Sequence, residues 1–86
     1  MDYEFSDDDI VKMYHMIGSN VKRLREKNNL SQLELTYKMG YKSVSLVSSA
    51  ELCTKGKHFN IEHLYKIAII FNIDISELFQ GIKTNL

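Results

Sequence analysis

The tightest constraint in this chain is the run 31–51, SQLELTYKMGYKSVSLVSSAE, which carries its own start and stop signals. Ser31 is followed three residues later by Glu34. A serine hydroxyl just before a helix accepts from an otherwise orphan amide, and the carboxylate reaches back to the serine N–H. Gly40 then closes that helix, because a left-handed residue at a helix end costs glycine little. Ser43 or Ser45 can open a second helix as Ser31 opens the first. Two helices this short and this closely joined make a helix-turn-helix, whose second helix can enter a DNA major groove.

The rest of the chain must supply one core for that unit. Eighty-six residues with 44% apolar content suit a single small domain spanning 1–86 and do not suit disorder. There is no proline, and no apolar run approaches the ~20 residues of a membrane span. The N-terminus is acidic, unlike a signal peptide, and a lone cysteine fits a reducing compartment. A cytoplasmic protein is expected.

Net charge is zero, but its distribution is uneven. Residues 1–21 carry Asp2, Glu4, Asp7, Asp8 and Asp9 against Lys12, for −4. Residues 22–57 carry Lys22, Arg23, Arg25, Lys27, Lys38, Lys42, Lys55 and Lys57 against Glu26, Glu34 and Glu51, for +5. The remainder carries Lys66 and Lys83 against Glu62, Asp74 and Glu77, for −1. The positive charge thus surrounds the helix pair, which suits attraction to phosphates. The plainer reading is a set of solvated helix faces.

Five helices are predicted. The first starts after Ser6, with Asp7, Asp8 and Asp9 in its first turn, where the helix dipole favours negative charge. Ile10, Tyr14, Ile17, Val21 and Leu24 form its apolar stripe, and it runs to about Asn28. The second covers about 32–39 and the third about 44–52. Residues 53–60, CTKGKHFN, read as a loop without period. Asn60 caps the fourth, whose buried stripe is Ile61, Leu64, Ile67, Ala68 and Phe71. Asn72 and Asp74 mark a turn, Ser76 opens a short fifth helix with Leu78 and Phe79, and Gly81 ends it. The tail to Leu86 is expected to fray.

IGSNVKRLREKNNLSQLEL, the MGYKS turn, VSSAE and IEHLYKIAIIFNIDISELF together resemble the Cro/repressor-type (XRE-like) helix-turn-helix family over about residues 17–79. Leu30-Ser31-Gln32 and Ile75-Ser76-Glu77-Leu78-Phe79 are the most specific pieces. The resemblance implies an all-α, five-helix, lambda-repressor-like DNA-binding domain with the helix-turn-helix at helices two and three. It implies that Gln32, beside Ser31, bonds a DNA phosphate. It implies an ion pair, Arg25 with Glu51, tying helix one to the end of helix three. Leu35 and Met39 match core positions. Bases would be read from Val44, Ser45, Ser48 and Ser49, with Lys42 and Ser43 just before them. Lys55, Gly56 and Lys57 fall in the loop that touches the DNA backbone. Phe71, Ile73, Ile75 and Phe79 match a dimer surface, although closure of the monomer core accounts for them equally.

The chain also departs from that pattern. Serines and valines stand in helix three where many relatives present Arg, Gln or Asn. A serine bonds any base, and neither residue makes the bidentate pair that discriminates by ~1–3 kcal/mol, so either direct readout is weak or Lys42 and DNA shape carry it. Ala50 replaces a larger apolar residue, and Thr36 a small alanine. The loop after helix three is about two residues longer than usual. Leu33 and Tyr37 occupy normally polar positions four apart on one helical face. They are either covered by the N-terminal Tyr3–Phe5 segment or offered to a partner protein. The acidic extension 1–9 would serve as an arm for dimerisation or for shielding the basic face.

Other chemistries find little purchase. Cys53, His58 and His63 offer only three zinc ligands without a fourth. Cys53 beside Lys55 is the sole basis for redox sensing. Asp7 to Asp9 read as helix-start charges. No Ser-His-Asp arrangement, phosphate-binding glycine loop or carboxylate pair is evident. The expectation is therefore a non-enzymatic regulator of transcription, a repressor without metal or cofactor. It would bind double-stranded DNA as a homodimer on half-sites about one helical turn (~34 Å) apart. The rival is a protein-interaction module of antitoxin or antirepressor type that keeps the fold with weak DNA reading, with Leu33 and Tyr37 as its contact.

Overall fold

A computed structural model describes residues 3–84. Within them the chain is all-helical, with four α-helices: α1 Asp7–Lys27, α2 Gln32–Lys38, α3 Leu46–Leu52 and α4 Ile61–Phe71. Two short 3₁₀ turns, Thr54–Gly56 and Ile75–Phe79, complete it. The segment expected as a fifth α-helix is the second of these. Its flanking Asp74 makes no side-chain cap, and Ser76 lies inside the turn rather than before it.

Caps explain the helix starts. Ser6 Oγ accepts from the Asp9 N–H at 3.1 Å, and Asp7, Asp8 and Asp9 occupy the positive end of α1. Asn60 Oδ1 accepts from the His63 N–H at 2.8 Å, while His63 Nδ1 accepts from the Asn60 N–H at 3.1 Å, a reciprocal cap at α4. The α1 stripe is buried only from Ile17 through Val21 to Leu24. Residues 3–12 are all exposed, Ile10 among them, so the first turns of α1 extend past the body. On α4, Leu64, Ile67, Ala68 and Phe71 face the core as expected. Ile61 does not: as the first residue of α4 it stands at the edge of that stripe and is 69% exposed.

The core joins these stripes to Leu35 and Met39 of α2, Val47 and Ala50 of α3, and Leu78. Phe59 is its largest fully buried side chain, so the 53–60 segment is anchored rather than a free loop. Two details of α1 hold the body together. Gly18 lets α3 come close: a Cβ there would meet the Glu51 carbonyl oxygen at 2.4 Å. Asn20, buried, donates from Nδ2 to the carbonyls of Leu78 (3.0 Å) and Gln80 (2.8 Å), which ties the C-terminal turn to α1. The small Ala50 belongs to the same close approach, since its carbonyl lies 3.1 Å from that absent Cβ.

Candidate nucleic-acid interface

The expected helix pair is α2 and α3, and its parts can be built residue by residue. Ser31 Oγ accepts from the Glu34 N–H at 3.0 Å, and Glu34 Oε1 accepts from the Ser31 N–H at 2.9 Å. These hydrogen bonds to Ser31 hold the Glu34 carboxyl below its ordinary range. Gly40 follows at φ +90 with open space around it, so the turn needs glycine for its backbone and not for room.

The connection is longer than the sequence implied. It runs over residues 39–45, and α3 begins at Leu46 rather than at 44. Neither serine supplies a side-chain cap: Ser45 precedes α3 with no such bond, and the Ser48 hydroxyl instead donates to the Ser45 carbonyl at 3.2 Å. The Tyr41 hydroxyl pins the connection from outside. It donates to Glu62 Oε2 at 3.0 Å and accepts from Lys66 Nζ at 3.1 Å, which raises the Lys66 amine.

A buried network holds α3. Arg25 Nε donates to Glu51 Oε2 at 2.7 Å and Nη2 donates to Oε1 at 3.1 Å, a two-pronged pair. Arg25 Nη1 also donates to the Leu30 carbonyl at 2.8 Å. Gln32 Nε2 donates to Glu51 Oε1 at 3.0 Å. The hydrogen bond to Glu51 is the main reason the guanidinium is held above its ordinary range. One carboxylate thus gathers α1 and the start of α2 onto the end of α3. Gln32, expected at a phosphate, is half-buried and turned inward as a brace.

Lys42, Ser43, Val44 and Ser45 are all exposed, and Val44 is 70% so. Ser48 and Ser49 are half-buried, and Val47, Ala50 and Glu51 are buried. The accessible groups therefore sit in the connection ahead of α3, not along its first two turns. Seven residues, three of them committed to the interior, leave little of α3 to face outward. Ser43 and Ser45 share a shallow groove with Lys57, His58, Asn60 and His63. Lys42 lies in a second depression with Tyr37, Gly40 and Tyr41. Lys55 is exposed, with a left-handed φ of 54°, and lines neither. The structure thus brings Lys57 to the serines and sets Lys42 and Lys55 apart.

The remaining groups singled out in the sequence serve other ends. Cys53 is half-buried, and burial pushes its thiol upward, away from the reactive thiolate that redox sensing needs. His58 stacks on Tyr14 at 3.7 Å between ring centres, and His63 is spent on the α4 cap, so the three residues do not converge. Among the described residues no group of three possible ligands could hold a metal. Leu33 and Tyr37 are exposed at 39% and 53%, and Tyr3 and Phe5 are also exposed, so that segment does not cover them. Of the expected dimer surface, Phe71 is buried and Ile73 and Phe79 pack against the core, leaving only Ile75 outside. Closure of the monomer core uses the others up. Gly18, Asn20 and Tyr41 were not foreseen. Gly18 and Asn20 could have been noticed as a glycine and an amide set within or beside an apolar stripe.

Comparisons with family models, with curated proteins and with solved structures returned no match for this chain. Among the described residues no helix is long and apolar enough to cross a membrane.

Proposed function

We propose that this protein is a sequence-specific DNA-binding regulator of transcription, a repressor of the Cro-like helix-turn-helix type. One observation carries the reading. A buried carboxylate, Glu51, is bonded by Arg25 and Gln32, which fixes α3 against α1 and α2 while Lys42 to Ser45 stay open to solvent. The ion pair sets α3 against the long α1 and the Gln32 bond sets it against α2, and a fixed orientation of this kind is what a DNA-reading helix pair uses.

In this reading Lys42, Lys55 and Lys57 neutralise phosphates. Ser43 and Ser45 hydroxyls and the Val44 methyls meet base edges. Such groups discriminate weakly, so DNA shape and a second half-site supply much of the selectivity. No cofactor or metal enters. The rival reading, a protein-interaction module, is favoured by the exposed Leu33 and Tyr37 and by how little of α3 faces outward.

Selection from a random duplex library at two salt concentrations tests the proposal. Enrichment of a palindromic site, with affinity falling steeply as salt rises, is expected. Lys42→Ala and Lys57→Ala should each reduce the slope of log affinity against log salt by about 1. Absence of binding at low salt refutes the regulator, and loss of protein partners in Leu33→Asp/Tyr37→Ser would then favour the rival.

A further inference from the structure

The helix α4 is apolar on two sides. Leu64, Ile67, Ala68 and Phe71 face the core, yet Ile61, Tyr65 and Ile69 stand 69%, 63% and 61% exposed on the outside. Their spacing of four puts them in one stripe along successive turns. Helices that are apolar all round are normally buried all round. A scattered exposed isoleucine needs no account, but three large side chains in register do.

We propose that this stripe is the contact face for a second copy of the chain, packed antiparallel across a two-fold axis at Tyr65. The pattern is self-complementary, as a two-fold interface requires. With the axis at Tyr65, Ile61 of one copy meets Ile69 of the other, and the two tyrosines meet each other. The flanking charges match as well. Glu62 and Lys66 share one side of α4, where both bond the Tyr41 hydroxyl. Reversal of the helix sets Glu62 of each copy about two residue rises, ~3 Å along the axis, from Lys66 of the other. A parallel arrangement would set these charges on opposite sides of the seam, where they could not pair. Three side chains of this size and exposure offer roughly 400 Å² per copy, within the usual largest patch of a monomer but below the ~800 Å² of a standard interface. The dimer is therefore a weak one. It uses a different surface from the Phe71–Phe79 segment, which the core consumes, and it does not depend on the DNA reading.

Sedimentation of the full chain, without DNA, tests it. A reversible monomer–dimer equilibrium is expected over concentrations from about ten to several hundred micromolar. Tyr65→Glu and Ile69→Glu should each raise the dissociation constant roughly a hundredfold, with little change in thermal stability because both side chains stand mostly outside the core. Register is read by oxidation in a Cys53→Ser background. Tyr65→Cys should form a covalent dimer, as should the Ile61→Cys/Ile69→Cys pair, whereas Ile61→Cys alone should not. A chain that stays monomeric throughout, a dimer that survives Tyr65→Glu, or crosslinking by Tyr37→Cys in place of Tyr65→Cys overturns the proposal. These measurements are made without DNA, so failure of this dimer and failure of the DNA-binding reading are told apart.

Discussion

Replacing Arg25 by methionine would leave the Glu51 carboxylate, 4% exposed, with the Gln32 amide as its one remaining side-chain donor. Breaking a buried pair from one side costs about 3–5 kcal/mol, because the surviving charge is neither solvated nor paired. An 86-residue domain holds only about 4–13 kcal/mol in total at ~0.05–0.15 kcal/mol per residue. Arg25→Met therefore removes a large share of the stability. Arg25→Met/Glu51→Leu removes the charge as well and leaves only neutral groups, the Leu30 carbonyl and the Gln32 amide, to find other partners. Its cost should be about 1–3 kcal/mol, less than that of the single variant. Urea unfolding followed by far-ultraviolet circular dichroism measures both. With a slope of about 1 kcal/mol/M, the midpoint should fall by about 3 M or more for Arg25→Met and by clearly less for the double variant. Glu51→Leu alone, which strands the guanidinium, should also be worse than the pair. Two results would refute the reasoning: an Arg25→Met variant within 1 kcal/mol of the parent, or a double variant whose loss equals the sum of the singles.

Two further outcomes follow from the same packing. Gly18→Ala places a methyl 2.4 Å from the Glu51 carbonyl oxygen, which is backbone and cannot swing away. The helices must part, at about 1–3 kcal/mol, or a midpoint lowered by roughly 4–8 °C per kcal/mol in a thermal scan; an unchanged midpoint would mean that α1 and α3 are not so close. His63 is held below its ordinary pKa, chiefly by burial, and its neutral Nδ1 accepts the Asn60 N–H. A histidine with a depressed folded pKa adds stability above its unfolded value of about 6.5 and loses it as pH falls through the folded value. The parent should therefore lose stability below about pH 6.5 relative to His63→Gln, whose amide can cap without titrating, and parallel pH profiles of the two would contradict this assignment.

Legibility in the sequence followed the range of the interaction. Helix starts at Ser6, Ser31 and Asn60 were readable because each cap closes within three residues. The Arg25–Glu51 pair was reachable only through the family resemblance, since 26 positions separate the partners. The start of α3 was misplaced for a related reason. Ser43 and Ser45 both look like caps, and what decides between them is where Leu46 and Val47 can meet the core. The exposure of the expected reading residues followed from that shift.

By itself, the sequence determined that the chain makes short capped helices, where most of them begin, and which faces of α1, α2 and α4 are apolar. Those are local matters of side-chain oxygen, spacing and backbone freedom. Only the tertiary structure decided which apolar residues the core could use. The single core absorbed Phe71, Ile73 and Phe79 and left Ile61, Tyr65 and Ile69 outside. It also decided that Gln32 braces Glu51 and that Gly18 and Asn20 matter at all, because their partners come from elements far along the chain and meet only when the helices pack.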